Sequence, residues 1–174
     1  MIIATGGSQI SLKLPGIDKA HVVLASEVYL NPEKYTGRNA VVIGSGFTGL
    51  EVAELLAHNG NHVRIFELDD EIGKRIAGDG SIKNKAALLI RLEELHAEMH
   101  PSMDTEIHAV NLQTQQTETY EADLVVQALG YRPDGCLKDV LEGCAEHVIA
   151  IGDCTGIGNI IGATTEAYEA VWNL

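Results

Sequence analysis

The sequence is short of positive charge and of long apolar runs, and each shortage argues against a class of protein. Among 174 residues, 12 lysines and arginines stand against 25 aspartates and glutamates, a net charge of −13. Nucleic acids and anionic membrane surfaces are bound through basic patches, so neither is an expected partner. No apolar run reaches the roughly 20 residues that span a bilayer, and the N-terminus does not resemble a signal peptide. We therefore expect a cytoplasmic protein.

Cysteine is also scarce, and neither the cysteines nor the histidines form a recognisable metal pattern. The three cysteines make no CxxC or other paired spacing, which favours structural or incidental thiols. They are Cys136, Cys144 and Cys154. His96 and His100 have the i,i+4 spacing of a zinc-binding helix, but a proline follows directly and spacing places no third ligand. No Ser-His-Asp order stands out, so we predict no metal site and no catalytic side chain.

A glycine-rich turn between a strand and a helix is the strongest positive signal. An apolar strand is predicted over 39–43, the turn Gly44-Ser45-Gly46-Phe47-Thr48-Gly49 follows, and a helix is predicted over 46–58. A second strand over 62–67 ends on Glu67, roughly 20 residues beyond the turn. A lone GxGxxG is weak evidence. The order strand, glycine turn, helix, strand and acid is typical of a dinucleotide site.

The residue types of the turn match what a dinucleotide requires. Gly44 permits the tight turn out of the strand, and Gly46 lets the backbone approach a pyrophosphate. Gly49 lets the helix pack closely on the sheet. The free N–H groups near Phe47 and Thr48, at the positive end of the helix dipole, would face the phosphates. The alternative is a glycine-rich turn that binds nothing.

The acidic residue after the second strand bears on the choice of nucleotide. Glu67 would accept hydrogen bonds from the adenosine ribose. Residues 68–71, beginning with Leu68, offer no nearby cation for a 2′-phosphate, so NAD(H) is favoured over NADP(H). Lys74 and Arg75 lie further along and could bend back, which weakens that preference.

The rest of the sequence alternates strands and helices, which predicts an α/β fold with a Rossmann-like parallel sheet and a small antiparallel meander. Strands are expected at 1–4, 97–101, 123–128 and 148–151, short antiparallel strands within 105–120, and helices at 83–97 and about 163–172. Residues 8–34 read as a connector and 73–80 as a loop.

Four motifs, in order, resemble the flavoprotein superfamily with two dinucleotide-binding domains, the pyridine nucleotide-disulphide oxidoreductases. They are IIATG at 2–6, GSGFTGLEVA at 44–53, ALGYRP at 128–133 and IAIGD at 149–153. In that superfamily an NAD(P)H-binding domain is inserted in an FAD-binding domain, and the first and third motifs are similar to the points where the chain leaves and re-enters the FAD domain. The pair Gly152-Asp153 resembles the terminal FAD motif, whose aspartate bonds the ribityl chain.

This resemblance implies a domain organisation. Residues 37–130 would form the NAD(H)-binding domain, flanked by remnants of an FAD-binding domain at 1–36 and 131–174. The glycine-rich fingerprint that holds the ADP half of FAD is missing upstream of Met1. We therefore expect a fragment of a longer enzyme that is inactive alone. The two flanks would pair with each other, stay partly disordered or associate with a second copy, because an unpaired apolar strand edge invites partners. The expected protein partners are the remainder of that enzyme and a second copy, as a homodimer.

The resemblance can be narrowed further. Thioredoxin-reductase relatives carry a CxxC in the NAD domain, and disulfide reductases continue into a long dimerisation domain; neither feature is present here. Residues 14–23 and the abrupt ending are most similar to the C-terminal part of NADH:flavin oxidoreductases of the 2,4-dienoyl-CoA reductase, old-yellow-enzyme-like type. In those enzymes a barrel with FMN and an iron–sulfur cluster comes first. The implied role is to pass hydride from NADH to FAD, with electrons continuing to centres outside this chain.

Two questions stay open at this level. Glu51 matches the acidic position of the family pattern GxGxxGxExA, near the nicotinamide end, but a solvent-facing helical glutamate is an equal alternative. A structural or regulatory domain that binds an adenine nucleotide without hydride transfer is the alternative function. The expected cofactors are NAD(H) and, in the full-length protein, FAD. The candidate cofactor-binding residues are Gly44, Ser45, Gly46, Phe47, Thr48, Gly49, Glu51, Glu67, Leu68, Gly130, Gly152 and Asp153.

Overall fold

The computed structural model describes residues 1–11, 13, 16–76, 79–105, 109–111, 113–115, 117–134 and 137–172. Cys136 lies outside this range. The chain divides into two compact units, the larger comprising Ser11–Gly130 and the smaller comprising Met1–Ile10 together with Tyr131–Leu174. The α/β fold class predicted from the sequence is confirmed.

The larger unit alternates strands and helices as far as residue 100 and continues with strands alone. Its elements are β3 (Val22–Leu24), α1 (Ala25–Leu30), β4 (Asn39–Ile43), α2 (Phe47–His58), β5 (His62–Phe66), α3 (Asp79–Glu94), β6 (Glu98–His100), β7 (Met103–Thr105), β8 (Ala109–Asn111), β9 (Thr117–Glu118) and β10 (Leu124–Gln127). The smaller unit contains β1 (Ile2–Ile3), β2 (Gly7–Gln9), β11 (Tyr131–Pro133), α4 (Lys138–Leu141), β12 (Ile149–Ala150) and α5 (Ile160–Trp172).

A five-stranded parallel sheet forms the framework of the larger unit. The strand order is β3-β10-β4-β5-β6, which places β4 at the centre. Ile43, the last residue of β4, lies opposite Gln127 of β10 and Phe66 of β5, so the carboxyl ends of three strands lie side by side. Ligands of open parallel sheets bind at this edge, and the glycine turn begins there.

Helix α2 covers one face of the sheet because its apolar residues recur at helical spacing. Leu50, Ala53 and Leu56 have no exposed surface and lie in a core with Val42 and Ile65 of the central strands. The helix ends at His58, as the Asn59-Gly60-Asn61 sequence predicts. The buried side chain of Asn61 completes the end by donating to the carbonyl oxygens of Leu56 and Tyr35, at 2.7 and 2.9 Å.

The expectation of a featureless connector over 8–34 is wrong. Val22–Leu24 pairs in parallel with β10 as an edge strand, and Ala25 and Val28 of the following helix are fully buried. The larger unit therefore begins at Ser11, whereas the sequence placed the first domain boundary after residue 36. A three-residue strand and a six-residue helix are too short to show a clear period in the sequence.

The remaining element predictions hold with shifted ends. Helix α3 starts at Asp79, four residues earlier than expected and inside the predicted loop 73–80, of which 77 and 78 lie outside the described residues. Helix α5 starts at Ile160, ahead of the predicted 163. The antiparallel meander is confirmed as β7-β8-β9.

The smaller unit contains two pairs of strands and a final helix. β1 pairs with β12 in parallel, and β2 pairs with β11 antiparallel. Cys154 is buried and Cys144 is exposed, and both are free thiols. No helix within the described ranges is both long and apolar enough to cross a membrane.

We predict that Gly49→Ala destabilises the larger unit while Gly46→Ala does not. A Cβ on Gly49 would lie 2.0 Å from the Gly44 carbonyl oxygen, a backbone atom that cannot move without disturbing the turn. We expect a loss of about 3 kcal/mol in the free energy of unfolding for Gly49→Ala, and under about 1 kcal/mol for Gly46→Ala. Urea unfolding followed by circular dichroism measures both values, and equal losses would contradict the packing role of Gly49.

Candidate functional site

The first position of the glycine turn, Gly44, can be occupied without strain only by glycine. Gly44 has a φ of +97°, and a Cβ there would lie 2.7 Å from the carbonyl oxygen of Ala128. Its N–H donates to the Phe66 carbonyl at 2.8 Å. The turn is thereby anchored to both strands that flank β4, and a larger residue would force it away from them.

The second glycine leaves an open space at the start of α2. Gly46 is the N-cap residue, with φ −64° and ψ 179°, and a Cβ built on it would meet no atom within 4 Å. The Gly46 carbonyl accepts the Leu50 N–H at 3.0 Å, so the helix starts immediately after it. The first N–H groups of a helix have no intrahelical partners. An open cradle beside these donors fits a pyrophosphate group.

The next two residues of the turn lie at the first turn of α2. Phe47 is half-buried against the core of the larger unit. The Thr48 carbonyl accepts a hydrogen bond from the Tyr29 hydroxyl at 3.3 Å, which ties α1 to the start of α2. Sequence reasoning did not identify Tyr29, because 19 residues separate it from Thr48 and no motif links them.

The acidic residue after β5 lies directly beside the turn. One carboxylate oxygen of Glu67, Oε2, accepts the Ser45 backbone N–H at 2.8 Å and the Ser45 hydroxyl at 2.5 Å. The other, Oε1, accepts the Asp69 N–H at 3.0 Å. The structure thus brings together the glycine turn and the acid that the sequence pattern associated with it, and the carboxylate is held by neutral donors.

The two cations that follow Glu67 are paired with acids of the same loop. Arg75 makes a two-point contact with Asp69, at 2.7 and 3.2 Å, and this bond lowers the pKa of the Asp69 carboxyl. Lys74 Nζ lies 2.5 Å from Asp70 Oδ1. Leu68, between these acids and Glu67, is 56% exposed. The sequence left open whether Lys74 and Arg75 could bend back towards a 2′-phosphate. In the structure each of them forms an ion pair with an acid of its own loop.

Glu51 lies at a cleft between α2 and α3. The cleft has a volume of about 230 Å³, and the residues that line it are Phe47, Glu51, Glu54, Asn84, Ala87, Leu88 and Arg91. Glu54 is paired with Arg91 across the cleft. Burial, with a further contribution from the charge of Glu54, raises the pKa of the Glu51 carboxyl above its usual range. Glu51 itself is an exposed residue of α2, so its position is also that of a solvent-facing helical glutamate.

The end of β10 completes the wall beside the turn. The Ala128 N–H donates to the Ile43 carbonyl at 2.9 Å, and the Ala128 Cβ lies 3.4 Å from the position that a Cβ on Gly49 would take. Gly130, the last residue of the larger unit, has a φ of +87°. The sequence placed Ala128 at the start of the motif at 128–133, but it was not among the candidate site residues.

The second candidate motif lies in the smaller unit. Gly152 has a φ of +70° and donates its N–H to the Glu166 carboxylate of α5 at 2.6 Å. The Asp153 carboxylate accepts the Gly158 N–H at 3.0 Å. Glu166 was not identified from the sequence, since a single acid in the middle of a helix is unremarkable there. The contact shows that this turn is stabilised by the helix that follows it.

We predict that Glu51→Gln raises the stability of the chain at neutral pH only. The raised folded-state pKa means that the carboxyl contributes stability below its unfolded value, near 4.3, and loses that contribution as the pH rises. The two proteins should match at pH 3.5, and the variant should gain roughly 0.3 kcal/mol at pH 7 after allowance for solvent screening. Urea midpoints across this range measure the difference. A constant difference would identify Glu51 as a solvent-facing residue.

Comparisons with known proteins agree with the geometry. Residues 1–171 match the family model described as pyridine nucleotide-disulphide oxidoreductase. The chain is 30% identical to bilirubin reductase of Mediterraneibacter gnavus, covering 98% of this chain and 26% of that protein. It is 28% identical to NADH oxidase of Thermoanaerobacter brockii, and the match covers 100% of this chain and 28% of that protein.

A solved complex of 2-naphthoyl-CoA reductase with 2-naphthoyl-CoA has a similar structure. Its TM-score is 0.83 at 26% identity, over 97% of this chain and 26% of that chain. The chain therefore spans about a quarter of the length of these relatives. FAD and NAD(H) are the cofactors of such flavoproteins, which confirms the cofactor prediction for the family. With a match to the family model along almost its whole length, this chain belongs to the pyridine nucleotide-disulphide oxidoreductases.

Proposed function

We propose that this chain is the NADH-binding part of an FAD-dependent NADH oxidoreductase. The observation that carries the proposal is the open cradle at Gly46, beside the first turn of α2 and next to the Glu67 carboxylate. Pyrophosphate would lie against the helix N-terminus, and the ribose of the adenosine would meet Glu67. An NADH oxidase among the relatives supports the same assignment.

The loop after β5 supports NADH over NADPH. A 2′-phosphate needs an available cation, and here Arg75 and Lys74 are each bound to a carboxylate, Asp69 and Asp70. Accepting the phosphate would require breaking one of these ion pairs and bringing a dianion close to Glu67. The net charge of −13 opposes that approach further.

We assign the hydride chemistry to the cofactors and propose no catalytic side chain. When bound, FAD would accept the hydride that NADH supplies. The residues of this chain bind and orient: the turn holds the pyrophosphate, and Asp153 would hold the ribityl chain of the flavin. Alone, without the remainder of the FAD-binding domain, the chain would be inactive.

We further propose that the natural enzyme is longer and of the 2,4-dienoyl-CoA reductase type, with an FMN and iron–sulfur barrel. The relatives about four times as long as this chain support that view. Helix α5 supports it as well, because Ile160, Tyr168 and Trp172 are 83%, 62% and 74% exposed. Exposed apolar patches mark interaction surfaces, and this one would contact the rest of the flavoenzyme or a second copy.

Calorimetric titration of the purified chain with NADH and NADPH tests the proposal, after its visible spectrum has been recorded for bound flavin. We expect NADH to bind more tightly than NADPH, with no flavin spectrum. Hydride transfer from bound NADH to added FAD would contradict the proposal that the isolated chain is inactive. Failure of both nucleotides to bind would overturn the NADH assignment. Binding of nucleotide by a full-length parent that never oxidises NADH would favour the structural or regulatory alternative.

We predict that Gly46→Val abolishes NADH binding. A valine side chain would occupy the space that the pyrophosphate needs, while the open surroundings and ordinary φ of Gly46 allow the chain to fold. Calorimetry measures the loss. Gly156→Val is the matched control, because a Cβ at Gly156 also meets no atom within 4 Å but lies in the smaller unit. Unchanged NADH affinity in Gly46→Val would refute the assigned site.

We also predict that Glu67→Arg weakens NADH binding and strengthens NADPH binding. The substitution removes the acceptor for the ribose hydroxyls and adds a cation that suits a 2′-phosphate. Glu71→Arg makes the same charge change in the same loop, at a carboxylate bound to Lys85 at 2.7 Å, and serves as control. A ratio of the two affinities that shifts equally in both variants would remove Glu67 from this role.

A further inference from the structure

Ser45 is a buried residue inside the glycine turn, and its hydroxyl both donates and accepts a hydrogen bond within the protein. The residue is 1% exposed, so its hydroxyl must find partners within the protein. Ser45 Oγ lies 2.8 Å from the Gly73 nitrogen and 2.5 Å from Glu67 Oε2. An amide N–H can only donate, so Gly73 uses the hydroxyl as an acceptor. The hydroxyl proton is therefore directed at the Glu67 carboxylate.

This arrangement determines what Glu67 has left to offer a ligand. A carboxylate has two oxygens and about four acceptor sites. Oε2 takes the Ser45 N–H and hydroxyl, and Oε1 takes the Asp69 N–H. Two donors on Oε2 saturate that oxygen, so the acceptor site that remains is on Oε1. The Ser45 hydroxyl is one of the three donors that fix the rotation of the carboxylate, and with it the position of that site.

The same hydroxyl ties down the loop that carries the charged pairs. Gly73 is buried, has a φ of +66° and directly precedes Lys74 and Arg75. By holding the Gly73 N–H, Ser45 joins the turn after β4, the end of β5 and the loop that follows it. Removing the hydroxyl would leave the Gly73 N–H without this acceptor and would remove one of the three bonds that hold the carboxylate.

We infer that Ser45 is a positioning residue for nucleotide selection: its hydroxyl holds Glu67 so that one acceptor site on Oε1 receives a ribose hydroxyl. The ligand class is an adenine dinucleotide with a free 2′-hydroxyl. The inference rests on the proposed function of the turn as a dinucleotide site. Without the hydroxyl, NADH loses a well-placed acceptor, whereas NADPH, which Glu67 repels, has little to lose.

A double-mutant cycle with Ser45→Ala and Glu67→Ala tests the inference, with NADH and NADPH titrated against the full chain and each variant. We expect Ser45→Ala to weaken NADH about tenfold and NADPH by less than about twofold. In the Glu67→Ala background, Ser45→Ala should change NADH affinity by less than about twofold, because its effect passes through Glu67. Ser45→Thr, which keeps the hydroxyl, should restore NADH selectivity.

Ser102→Ala is the matched control. Ser102 is also buried, at 5% exposure, and its hydroxyl accepts a hydrogen bond from Gln113, while its bond to the loop after β5 runs from its backbone N–H to the Asp69 carbonyl, which Ser102→Ala keeps. Thermal melts of all variants separate lost folding from lost selectivity, since unfolding lowers the affinity for both nucleotides together. If Ser45→Thr does not fold, the double-mutant cycle alone decides.

The outcomes separate this inference from the function on which it rests. Wild-type protein that binds neither nucleotide overturns the proposed function, and the inference with it. Wild-type protein that binds NADH, with Ser45→Ala at wild-type affinity, overturns the inference alone. Equal losses for Ser45→Ala with and without Glu67, or for NADH and NADPH alike, show a merely structural serine and overturn it too.

Discussion

The larger unit depends on a contact between backbones at the point where α2 meets the ends of β4 and β10. A methyl group on Gly49 would lie 2.0 Å from the Gly44 carbonyl oxygen, and a methyl group on Gly44 would lie 2.7 Å from the Ala128 carbonyl oxygen, so both would collide. Side chains at these points would hold the helix away from the sheet. Their absence lets α2 start at the carboxyl edge of the sheet, three residues after β4 ends. The last of these three residues is Gly46, which has open space beside it.

The second constraint is electrostatic. An anionic ligand approaches a chain of net charge −13, so attraction must come from local groups. The helix N-terminus supplies such a group without a cation. The two cations that follow Glu67 in the loop after β5, Lys74 and Arg75, are bound to acids, and Glu67 is held by backbone and hydroxyl donors. These groups are the basis of the proposed NADH site, because the adenosine half of NADH has phosphate at one end and neutral hydroxyls at the other.

The chain belongs to the family but spans only about a quarter of the length of its relatives, and its two units differ in how much apolar surface they bury. The larger unit has its own buried core and a five-stranded sheet. The smaller unit consists of short paired strands and a helix with much of its apolar surface exposed. An exposed apolar surface of this kind is typical of a surface on which further protein packs. The Gly152 turn is nevertheless held by Glu166 within the unit itself.

The sequence by itself determined the α/β class, the order of strand, glycine turn, helix and acid, and the family, because each is written in local spacing and residue type. It also indicated why Gly44 and Gly49 have to be glycines. Only the tertiary structure decided that residues 22–30 join the larger unit, that Arg75 is paired with Asp69, and that Ser45 joins Glu67 to Gly73. These features depend on contacts between residues well separated along the chain and on which donor reaches which acceptor. No periodicity or motif records such contacts, since they arise only when the strands lie side by side and bring the loops at their ends together.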